Sequence, residues 1–407
     1  MATGAERATS APPTPPVMKA APKKRDWSWR SQAFRGLIYQ LLTVALLVFA
    51  VWWLTSNTLE NMRTRGIQSG FGFLNQPAGF DIGETPIEFD SANPYWKAFL
   101  VGFLNTLRVA VIGIICTTIL GTLIGIGRLS KNFLLRGFCT WYVEIFRNIP
   151  VLIQLLTWYF ILTTLLPPVS EALHLGPGMY VSKSGMSFPI PVWGLGQLLA
   201  GGGLVLGAIV AWFYRRWARM AFERTGKPRP TFLPSIALMF GFALLGWILG
   251  GAPMALEMPE KTEMNVSGGG AVTPEFLAVV IGLTLYTASF VAEIVRSGIQ
   301  AVAHGQTEAA SALGLSRGQL LKLVLLPQAM RVIIPPMTNQ YLNLTKNSSL
   351  AVAIGYPDLV SISNTTLNQT GRAVECIAII MAVYLTLSLT TAGIMNWYNS
   401  RSAIKER

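Results

Sequence analysis

Apolar runs long enough to cross a membrane recur along this 407-residue chain, and they limit its fold more than any other feature. A helix rises about 1.5 Å per residue, so a hydrocarbon layer about 30 Å thick requires about 20 apolar residues. Runs of that kind occupy 37–56, 98–127, 150–167, 192–213, 233–252, 274–296, 332–354 and 374–397, the seventh interrupted by polar residues. Only 13% of the residues are charged, against about a quarter in soluble domains. The pattern predicts an all-α fold, a polytopic membrane helix bundle of about eight spans.

A formal net charge of +13 would suggest nucleic acid as a partner of a soluble chain. Here the basic residues fall in short clusters between apolar runs, which topology explains without nucleic acid. With the N-terminus inside, the inner segments hold seven Lys and Arg in 1–36, four in 128–150, six in 214–230, four in 296–331 and three in 398–407. Eight of the 32 remain for outer loops and spans. An even number of spans returns the C-terminus to the N-terminal side, so both ends are expected in the cytoplasm. The first run begins too far along, and is too long, for a cleavable signal.

Composition shifts divide the chain further. Residues 1–30, rich in Ala, Pro, Thr and Lys, are expected to be a disordered cytoplasmic tail. Residues 31–97 hold the first span and a polar loop carrying Glu60, Asp81, Glu84, Glu88 and Asp90. Two core parts, 98–166 and 274–398, flank a two-span insertion at 167–273, in which the residues predict two helices and polar loops. A short tail, 399–407, follows. Cys116, Cys139 and Cys376 have no metal or disulfide spacing, and His174 and His304 stand far apart, so neither metal nor disulfide is expected.

The stretch 307–327 lies between two apolar runs on the predicted cytoplasmic side. Ala, Leu and Glu favour helix up to Gly314, where a permissive backbone gives a stop; Pro327 punctuates the helix that follows. Two short helices joined at an angle are expected, protruding between two spans. Elsewhere, Thr225-Gly226-Lys227-Pro228 lacks the earlier glycine and the hydroxyl of a phosphate loop, and neither HExxH nor GxSxG occurs. The chain is therefore not expected to be an enzyme or to bind a cofactor, and its energy must come from a partner or an ion gradient.

Glu308-Ala309-Ala310, then Gly314, then Val324, Leu326 and Pro327 fill every position of the pattern E-A-A-x3-G-x9-[I/V]-x-L-P. That pattern resembles the coupling loop of binding-protein-dependent ABC importer permeases. Asn105-Thr106-Leu107, the stretch 144–154, the stretch 292–299, Leu326–Arg331 and Lys346–Leu350 are similar to the polar amino acid permeases, which include the histidine and glutamine permeases. The resemblance covers 98–166 and 274–398, the five-span type I importer core. The extra first span and the insertion resemble the long, broad-specificity general L-amino acid permeases of proteobacteria.

The resemblance implies a bacterial inner-membrane subunit that carries L-amino acids, polar and acidic ones included. Glu308, Ala309, Ala310 and Gly314, with Leu326 and Pro327 closing the motif, would seat in a cleft on a cytoplasmic ATP-binding subunit dimer, which hydrolyses ATP. A second, related permease subunit, a periplasmic amino-acid-binding protein and membrane lipid complete the implied partners.

The seventh run carries Asn339, Asn343, Thr345, Lys346, Asn347 and Ser348 among other polar residues. Polar groups at membrane depth face a bundle interior or a wet cavity, so this run reads either as a substrate passage or as helix–helix hydrogen bonding, with Lys346 reaching the interface. Arg108 reads as a carboxylate anchor or as the partner of Glu293, the one carboxylate well inside an apolar run. The alternative class is an ATP-independent secondary transporter or channel. That class predicts inverted repeats or mid-span acids for ion coupling; no repeat is evident.

Overall fold

The computed structural model describes residues 32–64, 66, 69–226, 229–252, 254–262 and 266–402. The expectations for 1–30 and for the last residues of the tail lie outside that set. The chain divides at Ser69–Gly70 into two units. The first contains one long helix, α1 (Gln32–Thr64), whose apolar side chains, Leu41, Val44, Leu47 and Trp52 among them, are exposed. This is the pattern of a helix solvated by lipid.

The second unit begins with the loop 70–94, which leads into α2 (Tyr95–Gly127). α3 (Phe133–Asn148) and α4 (Val151–Phe160), the latter prolonged by a π-helical turn (Ile161–Leu165), meet at a bend of 104°. Pro150 imposes the bend: it disfavours helix at Ile149, which is extended at φ −92°. The carbonyls of Phe146 and Ile149 accept from the buried Gln154 amide, each at 2.9 Å. The run expected as a third span is thus a short helix set across an amphipathic one.

α7 (Pro274–Gln300) is the most buried of the spans and the axis of this unit. α2 lies beside it in parallel: a Cβ on Gly121 would stand 2.6 Å from Val291, and one on Gly125 would stand 2.7 Å from the Ala292 carbonyl. Lipid tails are as apolar as leucine, so close van der Waals contact, rather than escape from water, holds such a pair. Leu155 of α4 packs at Gly282, and Val109, Leu155, Val279 and Leu283 share one core cluster.

After α7 come α8 (His304–Ala312) and α9 (Arg317–Leu320), then a π-helical turn (Leu321–Leu325) and α10 (Leu326–Asn347). Helical structure is continuous from Arg317 to Ile354, 38 residues. The expectation that Pro327 closes a second short helix is therefore corrected. Proline lacks an N–H and removes one bond from the ladder, and the wider π-helical turn just before it, where the Leu326 amide reaches back to the Leu321 carbonyl, accommodates the loss. α11 (Leu359–Thr370) lies between the last two apolar runs, and α12 (Ala373–Ser402) ends the described chain.

Among the described residues, seven helices are long and apolar enough to cross a membrane, or eight with the bent α3–α4 pair counted as one span. The insertion supplies two of them, α5 (Leu195–Thr225) and α6 (Phe232–Leu249), packed as a hairpin. Its loops are not merely polar linkers, as the residues had suggested. β1 (Leu173–Gly176), β2 (Met179–Ser182) and β3 (Gly185–Phe188) form an antiparallel sheet. Short ladders follow, pairing β4 (Ile190–Pro191) with β5 (Leu256–Glu257) and β6 (Glu260–Lys261) with β7 (Val266–Ser267). β8 (Gly270–Val272) adds to β3, with Met186 opposite Val272 and Phe188 opposite Gly270. The insertion leaves and rejoins the core at one place, so it can be accommodated without moving α7.

Candidate functional site: a coupling segment and a polar recess

The segment between α7 and α10 is built by local rules. α8 ends where Leu313 and Gly314 fold back, the Gly314 amide donating to the Ser311 carbonyl at 3.0 Å and the Leu315 amide to the Ala310 carbonyl at 3.2 Å. Gly314 has φ +72°, the left-handed region that side chains resist. Two residues later Ser316 and Gln319 form a reciprocal cap: the Ser316 amide donates to Gln319 Oε1 at 2.9 Å and the Gln319 amide to Ser316 Oγ at 3.4 Å. The corner is therefore fixed by backbone geometry at both sides.

Its surface is chemically two-sided. Ala310 is 3% exposed and faces the rest of the fold, while Ala309 faces out. The Glu308 carboxylate projects outward, 3.0 Å from His304 Nδ1 one turn earlier. Leu313, at the tip, is 81% exposed, and Leu321, Leu323 and Leu326 are exposed nearby. Pro327 is half-buried. Sequence reasoning missed Leu313 and the serine cap; the S-x-x-Q spacing of Ser316 and Gln319 was the available signal.

The candidate passage residues separate into groups. Asn343 and Asn347, with Gln340 on the same face of α10, meet Tyr286, Thr287 and Phe290 of α7 around a polar recess of about 210 Å³. Tyr286 to Phe290 lie about 18–24 Å along a helix of about 40 Å, at mid-membrane depth. Asn339 shares that stripe of α10 by spacing and is exposed, as is Lys346. Thr345 and Ser348 are buried, and their hydroxyls donate to the carbonyls of Tyr341 and Thr345 at 2.9 and 2.7 Å.

Arg108 does not meet Glu293. Twenty residues separate Arg108 from Arg128 at the other end of α2, about 30 Å, and Arg128 is the one that reaches Glu293. Arg296 Nη2 also donates to Glu293, at 2.5 Å. Arg108 instead pairs with Glu84 at 2.5 Å and lies over the Phe276 ring, 4.2 Å from its centroid. Glu84, only 7% exposed, further accepts from the Thr273 hydroxyl at 2.5 Å, beside the start of α7. Asn105 donates to the carbonyls of Glu84 and Pro357, both at 2.9 Å, and Thr106 accepts from the Leu359 amide at 3.1 Å. The Asn105-Thr106 pair is thus a clamp on two loops. Glu84 was one of several loop acids with no periodicity to distinguish it.

Residues 113–403 match the family described as binding-protein-dependent transport system inner membrane component, and the chain belongs to that family. Its relatives include the general L-amino acid transport system permease protein AapQ of Rhizobium johnstonii, 47% identical over 94% of this chain and 96% of that one. The putative amino-acid ABC transporter permease protein YhdX of Escherichia coli is 43% identical over 94% and 98% of the two chains. The glutamate/glutamine/aspartate/asparagine transport system permease protein BztB of Rhodobacter capsulatus is 40% identical over 92% and 95%. The chain is a multi-span, inner-membrane permease subunit.

Proposed function

We propose that this permease subunit carries L-amino acids of broad range into the cytoplasm, in an importer whose ATP is hydrolysed on a separate subunit. The observation that carries the proposal is the coupling segment: a fixed, outward-facing corner between two spans, with Glu308 and Ala309 exposed and Gly314 setting the turn. The amino-acid transport roles named for AapQ, YhdX and BztB, each matched over nine-tenths of the chain, support the cargo.

In this reading the corner docks in a cleft of an ATP-binding dimer at the cytoplasmic face, where the positive-inside bias also puts both termini. Leu313 and the exposed leucines after it suit the apolar part of such a cleft. Because the helix from Arg317 runs unbroken into the membrane, a push on the corner tilts α10 directly. α10 carries Gln340, Asn343 and Asn347, whose amides can bond the ammonium and carboxylate of an amino acid at mid-membrane. The Glu84–Arg108–Thr273 network would hold the opposite end of α2 and α7 together while this happens. A second permease subunit and a periplasmic binding protein complete the assembly.

The test is reconstitution with the ATP-binding subunit, the second permease and the binding protein. Glu308→Lys is expected to reduce substrate-stimulated ATPase while the protein still inserts. Asn343→Leu should raise KM for uptake about tenfold, the equivalent of one buried hydrogen bond. Unchanged stimulation in the first variant would remove the docking assignment; unchanged KM in the second would remove the recess.

A further inference from the structure

The α5–α6 hairpin is packed on itself through glycine: a Cβ on Gly203 would stand 2.2 Å from the Phe242 carbonyl, and one on Gly246 would stand 2.2 Å from the Leu199 carbonyl. At its turn end the two helices enclose a recess of about 510 Å³ between Arg215, Arg219, Arg229 and Thr231, flanked by Phe222 and Phe232. Three arginines line it, and among the described residues no carboxylate pairs with them. Glu223, the one acid between 214 and 232, does not line the recess.

Two of the three arginines are held in place. Arg215 Nε donates to Ser235 Oγ at 2.9 Å, and the Arg229 guanidinium lies over the Trp217 ring, 4.5 Å from its centroid. Thr231, at the start of α6, makes no side-chain cap, so the first amides of that 18-residue helix add their partial positive charge. We propose that this recess binds the phosphate of an anionic phospholipid, an occupancy that does not depend on the transported cargo.

Depth and shape select a lipid over a free anion. Arg215 is twenty residues beyond Leu195, about 30 Å along α5, which sets it at the edge of the hydrocarbon. Trp212, Tyr214 and Trp217 occupy the same level, where interfacial aromatics belong. Leu204, Ala208, Trp212, Arg215, Arg219 and Phe222 recur at three- and four-residue spacing, so they form one stripe of the helix. The upper half of that stripe lines an almost wholly apolar groove of about 600 Å³. Headgroup recess and acyl groove lie end to end. The excess of Arg and Lys assigns this end to the cytoplasmic leaflet, where anionic lipid attracts basic residues.

The experiment uses the full-length protein, delipidated in detergent and titrated with phosphatidylglycerol, phosphatidylcholine or glycerol 3-phosphate, with bound lipid read by native mass spectrometry. Phosphatidylglycerol is expected to bind preferentially and to resist displacement by glycerol 3-phosphate. R219Q/R229Q, which changes two exposed side chains and leaves the Arg215–Ser235 bond, should weaken it about 30-fold, on about 1 kcal/mol per basic residue. R219K/R229K should retain most of the binding. Equal binding of both phospholipids would overturn the proposal, as would an undiminished affinity in the glutamine variant. Displacement by glycerol 3-phosphate at similar concentration would also overturn it and assign the recess to a soluble anion.

Discussion

Asp358 is fully buried where α11 begins, its Oδ1 accepting the Ser361 amide at 2.8 Å. Burial outweighs the hydrogen bonds and raises its pKa to about 7. A carboxyl whose folded pKa lies above its unfolded value contributes stability at acid pH, and that contribution is lost as pH rises through about 7. Asp358→Asn keeps an N-cap and removes the titration. The variant should be more stable than wild type near pH 8, by on the order of a few kcal/mol of unfolding free energy, with the difference shrinking near pH 5. Thermal unfolding followed at both pH values checks it; a difference that does not change with pH would contradict the assignment. Gly314 yields a second residue-level prediction. Its φ of +72° has open space around it, so Gly314→Ala suffers only backbone strain, about 1–2 kcal/mol, whereas Gly314→Asn should be better tolerated. Substrate-stimulated ATPase should therefore fall in the order Gly, Asn, Ala. The segment around Gly314 was legible in the sequence because its geometry is local. The partner of Arg108 was not legible, because Glu84 lies in an aperiodic loop and meets Arg108 only through the tertiary fold.

At the scale of elements, α2 and α7 pack closely along the core through Gly121 and Gly125. A side chain at Gly121 meets Val291 at 2.6 Å and the Ala288 carbonyl at 3.0 Å, and backbone cannot yield as a flexible side chain can. Gly121→Leu should thus lower stability by at least about 1–3 kcal/mol, the usual consequence of overpacking, and should lower the yield of folded protein in detergent. Size-exclusion profiles and melting curves would measure this; normal behaviour of the variant would mean that the two helices do not pack as described. The long apolar runs announced these helices, since a span leaves a signal twenty residues long. The strands left none: β1 to β3 are four residues each, too short for alternation to stand out, and β3 finds β8 across the whole insertion. Pro327 misled for a related reason. Proline ends helices on average, but here the π-helical turn before it lets α10 run on from the coupling corner.

For the whole molecule, the coupling proposed above runs from Glu308 through the turn at Gly314 into the helix that begins at Arg317 and carries the amides of α10, so that in this reading the subunit is driven by a partner. The most direct measurement is uptake of labelled amino acids into proteoliposomes holding the complete complex, with ATP inside the reconstituted ATP-binding side and binding protein on the other. The account predicts uptake that requires ATP and the ATP-binding subunit, is indifferent to ionophores, and is lost in Glu308→Lys. Uptake by this chain alone, without ATP and abolished by collapsing an ion gradient, would contradict it and establish a secondary transporter.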